Sequence, residues 1–188
     1  MNRNYKVDAI ILSRKNFGEA DKIISIFTKQ YGKKTIIAKG IRKISSKRAA
    51  HLELFTYLSA YLHKGKSMDL VTEAITLDAY TNIRKSLERI SYACIVLELV
   101  DRMTAENQES HEVFNLLINF LHKLNIPGIK RSQAITELDQ FKKNLMIILG
   151  FLNIDNTSNS KELDRKIEEI IERKLQSADL LLKISQHK

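Results

Sequence analysis

The spacing of apolar side chains changes character once along the chain, near residue 79. Upstream of it, short runs rich in Val, Ile, Phe and Tyr are separated by turn residues, which is the pattern of β-strands. Tyr5 to Arg14 alternates, and Asn16 to Asp21 reads as a loop. Lys22 to Gln30 is a second run, carrying Ile23, Ile24, Ile26 and Phe27. Tyr31-Gly32 reads as a tight turn into a third strand, Lys33 to Ile41, and residues 42–50 lack apolar periodicity and read as a loop. Leu54 to His63 and Met68 to Leu77 are the fourth and fifth strands, joined by a turn at Lys64-Gly65-Lys66. Five short strands with glycine-containing turns predict a small barrel or sandwich. Along the fourth strand, alternation puts Leu54, Leu58, Ala60 and Leu62 on one face and Phe55, Tyr57, Tyr61 and His63 on the other. The aliphatic face should fill the barrel. The aromatic face suits either base stacking or a joint with the rest of the chain, and the joint is the reading preferred.

After residue 80 the apolar spacing becomes three to four, which predicts helices. Ile83, Leu87, Ile90, Cys94, Leu97 and Asp101 mark one face of a long first helix. Val113, Leu116, Leu117, Phe120, Leu121 and Leu124 mark a second, with Ser110 as its N-cap. Pro127-Gly128 interrupts the chain before a third helix, from Ala134 to Leu149, that ends near Gly150. Ser160 is placed as the cap of a fourth helix, and Ser177 as the cap of a last short one. The fold class expected is therefore α+β, with a β domain at 1–79 followed by an α-helical bundle domain at 80–188.

At 188 residues, with 44% hydrophobic side chains, the chain has enough apolar material for a substantial core. One proline and six glycines exclude a low-complexity chain. A single cysteine, Cys94, excludes a disulfide scaffold and a multi-cysteine zinc site, and fits a reducing, cytoplasmic compartment. The first twenty residues are too charged for a signal peptide, and no apolar run is long enough for a membrane helix.

Charge changes the picture more. The net charge is +9, and residues 1–80 hold 15 basic and 7 acidic side chains, so nearly all of the excess lies in the strand-rich part. Residues 33–48 carry Lys33, Lys34, Lys39, Arg42, Lys43, Lys47 and Arg48 with no acid among them. Such a cluster is the electrostatic footprint of a phosphate-backbone contact, with an acidic protein or a membrane surface as the other partners it suits. Catalytic patterns are missing. There is no phosphate-binding glycine motif and no His-Glu-x-x-His pair, and His51, His63, His111, His122 and His187 are scattered. Cys94 lies among apolar residues and reads as a small core side chain. The expectation is a protein that is not an enzyme and takes no metal, cofactor or small-molecule substrate.

The chain carries in order the turn Phe17-Gly18-Glu19-Ala20-Asp21, then Phe27-Thr28 followed by Gly32, and then Ala38-Lys39-Gly40-Ile41-Arg42-Lys43 with Ser45-Ser46-Lys47. In this order the motifs resemble the RecO family of bacterial DNA-repair recombination mediators. Leu54-Phe55, Thr72-Glu73-Ala74, the helix containing Leu97 to Arg102, Phe114-Asn115-Leu116-Leu117, and Phe141 to Phe151 continue the match. The resemblance covers roughly residues 5–152 and rests on order and spacing rather than on one motif. It implies that the β domain is an OB-fold barrel. It also implies binding of single- and double-stranded DNA, annealing of complementary strands, and help in loading RecA together with RecR and the single-strand-binding protein. The chain departs from the family where many members carry a four-cysteine zinc motif, because no cysteine follows Phe151.

The DNA contacts expected are Lys39, Arg42, Lys43, Lys47 and Arg48, supported by Arg14, Lys15, Lys33 and Lys34. Lysine, a flexible point charge, suits contact without sequence readout. Two rival readings are weighed. One is an interaction module whose basic face binds an acidic tail, such as that of the single-strand-binding protein. The other is a metal-dependent nuclease, which the seven acids of residues 1–80 serve poorly. The location expected is the cytoplasm, associated with the nucleoid.

Overall fold

A computed structural model describes residues 3–153 and 159–171. Within it the chain divides into two compact units. Residues 3–79 and 104–114 form the first, and residues 80–103 with the described residues from 115 onward form the second.

The first unit is a closed sheet of five strands: β1 Asn4–Phe17, β2 Asp21–Thr28, β3 Gly32–Ala38, β4 Tyr57–His63 and β5 Asp69–Asp78. They close in the order β1-β2-β3-β5-β4. The long β1 makes closure possible. Its first half pairs antiparallel with β4, from Asn4↔His63 to Ile10↔Tyr57. Its second half pairs with β2, out to Phe17↔Asp21, and the register shifts between Ile11 and Ser13. A bulge there bends the strand, so one strand serves two neighbours that diverge around the barrel. Alternation sends Val7, Ala9, Ile11, Ile24, Ile26, Ile36, Ala38, Leu58, Ala60, Leu62 and Val71 inward. These small and branched side chains fill the interior.

Closure is weakest between β3 and β5, which pair in parallel only at Ile36↔Asp69 and Ile37↔Leu70. The start of β3 is covered instead by residues 104–110. Lys33 forms a parallel bridge with Glu106. The Asn107 N–H donates to the Lys33 carbonyl at 2.8 Å, and the Thr35 hydroxyl donates to the Glu106 carboxylate. This close approach requires glycine at position 32. Its φ is +65°, and a Cβ there would lie 1.8 Å from the Gln108 carbonyl oxygen.

The second unit is helical, built from α1 Thr81–Arg84, α2 Leu87–Met103, most of α3 His111–Leu124, α4 Arg131–Ile148 and α5 Ser160–Ile170. The single long first helix expected from residue 83 is interrupted at Lys85-Ser86. Ser86 takes the N-cap position of α2, its hydroxyl 3.5 Å from the Arg89 N–H. The expected apolar stripe of that helix holds only in part: Ile83 and Leu97 are buried. Leu87 is exposed, whereas Ser91, Tyr92, Ala93, Ile95, Val96, Leu97, Leu99 and Val100 are buried. A helix covered on most sides has no single apolar stripe for a 3.6-residue period to find.

Ser110 caps α3 as expected, accepting from the Val113 N–H at 3.2 Å. After α4, the Phe151 N–H reaches the Met146 carbonyl at 2.8 Å and the Gly150 N–H reaches Ile147 at 3.0 Å. This pair of bonds terminates the helix. The cap of α5 is Asn159, not Ser160: its side chain accepts from the Glu162 N–H at 2.9 Å, while the Ser160 hydroxyl donates to Asp139. The helix expected from Ser177 lies outside the described residues. No helix among the described residues is long and apolar enough to cross a membrane.

Candidate nucleic-acid interface

The basic stretch after β3 is a fixed structure. Ile41 and Leu52 both drop into the barrel core and anchor its ends. Between them the backbone turns on itself. The Lys43 N–H donates to the Gly40 carbonyl at 3.2 Å, Ser46 to Lys43 at 2.9 Å, and His51 to Arg48 at 3.1 Å. Arg48 staples the loop to the barrel, donating to the Val71 carbonyl and, at 2.8 Å, to the Lys39 carbonyl. The β1–β2 turn is tied in as well. The Arg42 N–H donates to Ala20 at 2.9 Å, the Arg42 guanidinium to Gly18 at 3.2 Å, and the Gly40 N–H to the Asp21 carboxylate at 2.6 Å.

Lys39, Arg42, Lys43 and Lys47 are exposed on this scaffold, and none of them forms an ion pair among the described residues. Lys15 is exposed at the same end of the barrel. Ile44 is fully exposed at the loop tip, and Phe17 is half-exposed at the end of β1. Lys22, absent from the expected contacts, belongs with them by register: its neighbours across the sheet are Asn16 and Ala38. Only the pairing of β2, which the linear sequence does not state, brings it here.

The remaining expected contacts have other partners. Arg14 pairs with Glu53 at 2.5 Å and donates to the Leu52 carbonyl at 3.0 Å, so it holds the far anchor of the loop. Arg48 is the staple described above. Lys33 and Lys34 lie at the opposite end of β3, about 20 Å from Lys39 at the rise of an extended strand. Lys34 is mostly buried there. Its ammonium group reaches Asn107 at 2.8 Å and Asp69 at 3.5 Å, and lies 5.9 Å from the ring centres of both Tyr5 and Tyr31. The loop end thus brings together Lys15, Lys22, Lys39, Arg42, Lys43 and Lys47 as exposed or half-exposed cations.

Asp69 is the centre of the Lys34 cluster. Burial alone would raise its carboxyl, but the Tyr5 hydroxyl, the Gly65 N–H and the Lys34 ammonium outweigh burial and hold it below the usual carboxylate range. The Tyr5 hydroxyl is pushed far up, first by burial and then by Asp69. A carboxylate lowered by folding stabilises the fold above the unfolded value and loses that effect as pH falls through the folded one. The acid unfolding of the native chain should therefore contain a contribution below about pH 4 that Asp69→Asn lacks. Urea midpoints measured down to about pH 3 should fall less steeply in that variant; equal slopes would mean that Asp69 is not so held.

The aromatic face expected on β4 does not exist as one platform. Phe55 precedes the strand, has φ +49° and is buried. The Tyr57 ring meets Phe114 edge-on, 6.1 Å between centres. Tyr61 alone of the three aromatic rings is substantially exposed. Two of the rings are therefore committed to packing within the first unit.

Among the described residues, no group of three or more His, Cys, Asp or Glu side chains is placed to hold a metal ion. Cys94 is partly buried, and burial, with Glu98 nearby, pushes its thiol up, so it is protonated at neutral pH.

These features define a class: an α+β protein whose N-terminal closed sheet of five strands carries a cation-rich end and is followed by helices. Comparison with known proteins narrows it. The family described as Recombination protein O N terminal matches residues 1–80, and Recombination protein O C terminal matches residues 84–152. The chain belongs to the RecO family of DNA repair proteins, and its N-terminal sheet is the family's OB-fold. Relatives named DNA repair protein RecO include that of Roseiflexus sp., 39% identical over 65% of this chain and 43% of the relative. Those of Alkaliphilus metalliredigens and Symbiobacterium thermophilum are 38% and 32% identical, over 77% and 78% of this chain and 58% and 57% of the relatives. The chain spans about half the length of these relatives.

The four-cysteine zinc motif of many members has no counterpart, because this chain holds one cysteine, and that one is on α2. Its residues do not fit that metal. Further along, Leu163 and Ile167 of α5 are buried. Lys142 of α4, its side chain 8% exposed, locks the helix in place through Asp164 at 2.7 Å.

Proposed function

We propose that the protein is a DNA-binding recombination mediator. Its OB-fold domain, residues 1–79, binds single- and double-stranded DNA without sequence readout, and its α-helical domain is residues 80–188. The observation that carries the reading is the loop after β3. Four exposed cations, Lys39, Arg42, Lys43 and Lys47, stand outside any ion pair among the described residues, on a backbone anchored by Ile41 and Leu52. A fixed array of point charges contacts phosphates at a low ordering cost and reads no bases. By covering the charge of two strands it lowers their mutual repulsion and so anneals them without chemistry.

In this reading the protein works in the cytoplasm at the nucleoid. It acts with RecR and the tail of the single-strand-binding protein to help load RecA, and it is not an enzyme. The family membership supports these roles, which belong to whole RecO proteins.

The test is annealing of two complementary oligonucleotides, one dye-labelled and one quencher-labelled, at several salt concentrations. The expected result is acceleration over the spontaneous rate that fades as salt rises. No acceleration at low salt would overturn annealing by this chain. Retained binding of an acidic peptide in that case would move the reading to a partner-binding module.

A further inference from the structure

The sheet registers separate the cations of the first unit into two groups. One is the loop end already described. The other lies where the β2–β3 turn and the β4–β5 hairpin meet the start of β1, and it includes Arg3, Lys29, Lys64 and Lys66, all exposed. Each turn is seated on β1 by one backbone bond, the Lys64 N–H donating to the Arg3 carbonyl and the Lys29 N–H to the Asp8 carbonyl, both at 2.8 Å, and the Lys64 ammonium lies 6.0 Å from the Tyr5 ring centre. None of the four is in an ion pair among the described residues. Of the acids near this end, Asp69 is held by Tyr5, Lys34 and Gly65, Glu106 by Thr35 and Glu109 by His111, while Asp8 lies beside Lys29.

This end also presents an aromatic ring that is held in place. Tyr31 is 43% exposed, although it sits in a tight turn. Its N–H donates to the Thr28 hydroxyl oxygen at 2.9 Å, and that hydroxyl donates to the Gly32 carbonyl at 2.9 Å. The Tyr5 ring stands edge-on to it at 5.3 Å and 83°. Lys34, 5.9 Å from both ring centres, completes the support. A tyrosine whose backbone and ring are both fixed loses little freedom when a flat partner stacks on it. Flanking phosphates of such a partner would meet the four cations.

We infer that the hairpin end of the barrel is a second single-stranded nucleic-acid contact, in which Tyr31 stacks on a base and Arg3, Lys29, Lys64 and Lys66 take the phosphates. The inference rests on the DNA-binding reading above and deepens it. The two ends are about 20 Å apart along β3, beyond the screening length of about 8 Å at physiological salt. Each end therefore attracts its own strand, and one chain holds two.

The chain contains no tryptophan, so Tyr31→Trp installs a single fluorescent reporter. Titration of this variant with a short oligothymidylate at low salt should quench its emission as base and indole stack. Tyr31→Ala should weaken single-strand binding at this end about 5- to 150-fold, while Tyr31→Phe, which keeps the ring, should not. Lys64→Ala with Lys66→Ala should lower the salt slope by about 1.4. Two oligonucleotides of unrelated sequence, one carrying a donor dye and one an acceptor, should show energy transfer on the unaltered chain and lose it in Tyr31→Ala.

If the unaltered chain binds DNA but the indole emission of Tyr31→Trp is unmoved and the other variants bind normally, the second contact is overturned and the loop-end reading stands. If the unaltered chain binds no DNA, both fail. Quenching by an acidic peptide but not by the oligonucleotide would overturn the assignment to nucleic acid.

Discussion

Replacing Lys39, Arg42 and Lys43 together with alanine is expected to weaken single-stranded DNA binding at the loop end about 100-fold at roughly 0.1 M salt. Neutralisation of about five phosphates gives a salt slope near −3.5 on single strands, and removal of three contacts brings it to about −1.4. The loss should be alike for all sequences, because these side chains reach no base edges in this reading. The fold should survive. The loop is held by Ile41, Leu52 and the backbone bonds of Gly40, Arg42 and Lys43, and the triple change removes only one side-chain bond, from Arg42 to Gly18. Arg48→Ala is the instructive contrast, since it cuts the staples to Val71 and Lys39 and should loosen the whole loop. Fluorescence anisotropy across a salt series gives affinity and slope together. An unchanged slope in the triple variant would sink the assignment of the loop.

The second large effect expected is on stability. Gly32→Ala places a Cβ 1.8 Å from the Gln108 carbonyl oxygen in a residue with φ +65°. The left-handed conformation costs a residue with a side chain about 1–2 kcal/mol, and the overlap with backbone adds about 1–3 kcal/mol more. A loss of about 3 kcal/mol is a large share of a small domain's stability. Urea denaturation measures it. Hydrogen exchange locates it, because the Asn107 N–H, bonded to the Lys33 carbonyl, should lose protection before the strands of the barrel do. A variant as stable as the native chain would mean that residues 106–108 do not need their seat on β3.

The strands were legible because alternation with Val and Ile carries both their type and their inward face. Leu58, Ala60 and Leu62 point into the core as their spacing requires. What alternation cannot state is pairing, and pairing decides the site. Lys33 and Lys39 are six positions apart in the sequence, yet an extended strand carries them to opposite ends of the barrel. A count of charge along the chain merges them into one patch. Conversely, Lys22 is distant in sequence from the loop and joins it through register. Arg14 and Arg48 illustrate a second limit. A guanidinium offers several directed donors, and both arginines use theirs on nearby carbonyl oxygens. The lysines of the loop, with one compact charge each, remain outward. In the helical part, the cap at Ser110 was legible from residue type. The stripe assigned to α2 was legible only at Leu97, because burial on most sides erases the periodic signal.

The seat of residues 104–110 on β3 also sets an order of events at the ribosome. The first 79 residues emerge with all five strands, but their weakest seam, between β3 and β5, has two paired positions. The start of β3 then stands as an open edge, which invites pairing with another chain. It closes only after α2 has been synthesised and the chain returns with Glu106 and Asn107. At about 5–20 residues per second, that interval lasts a few seconds. Until Glu106 and Asn107 arrive, the nascent barrel carries that open edge at the start of β3.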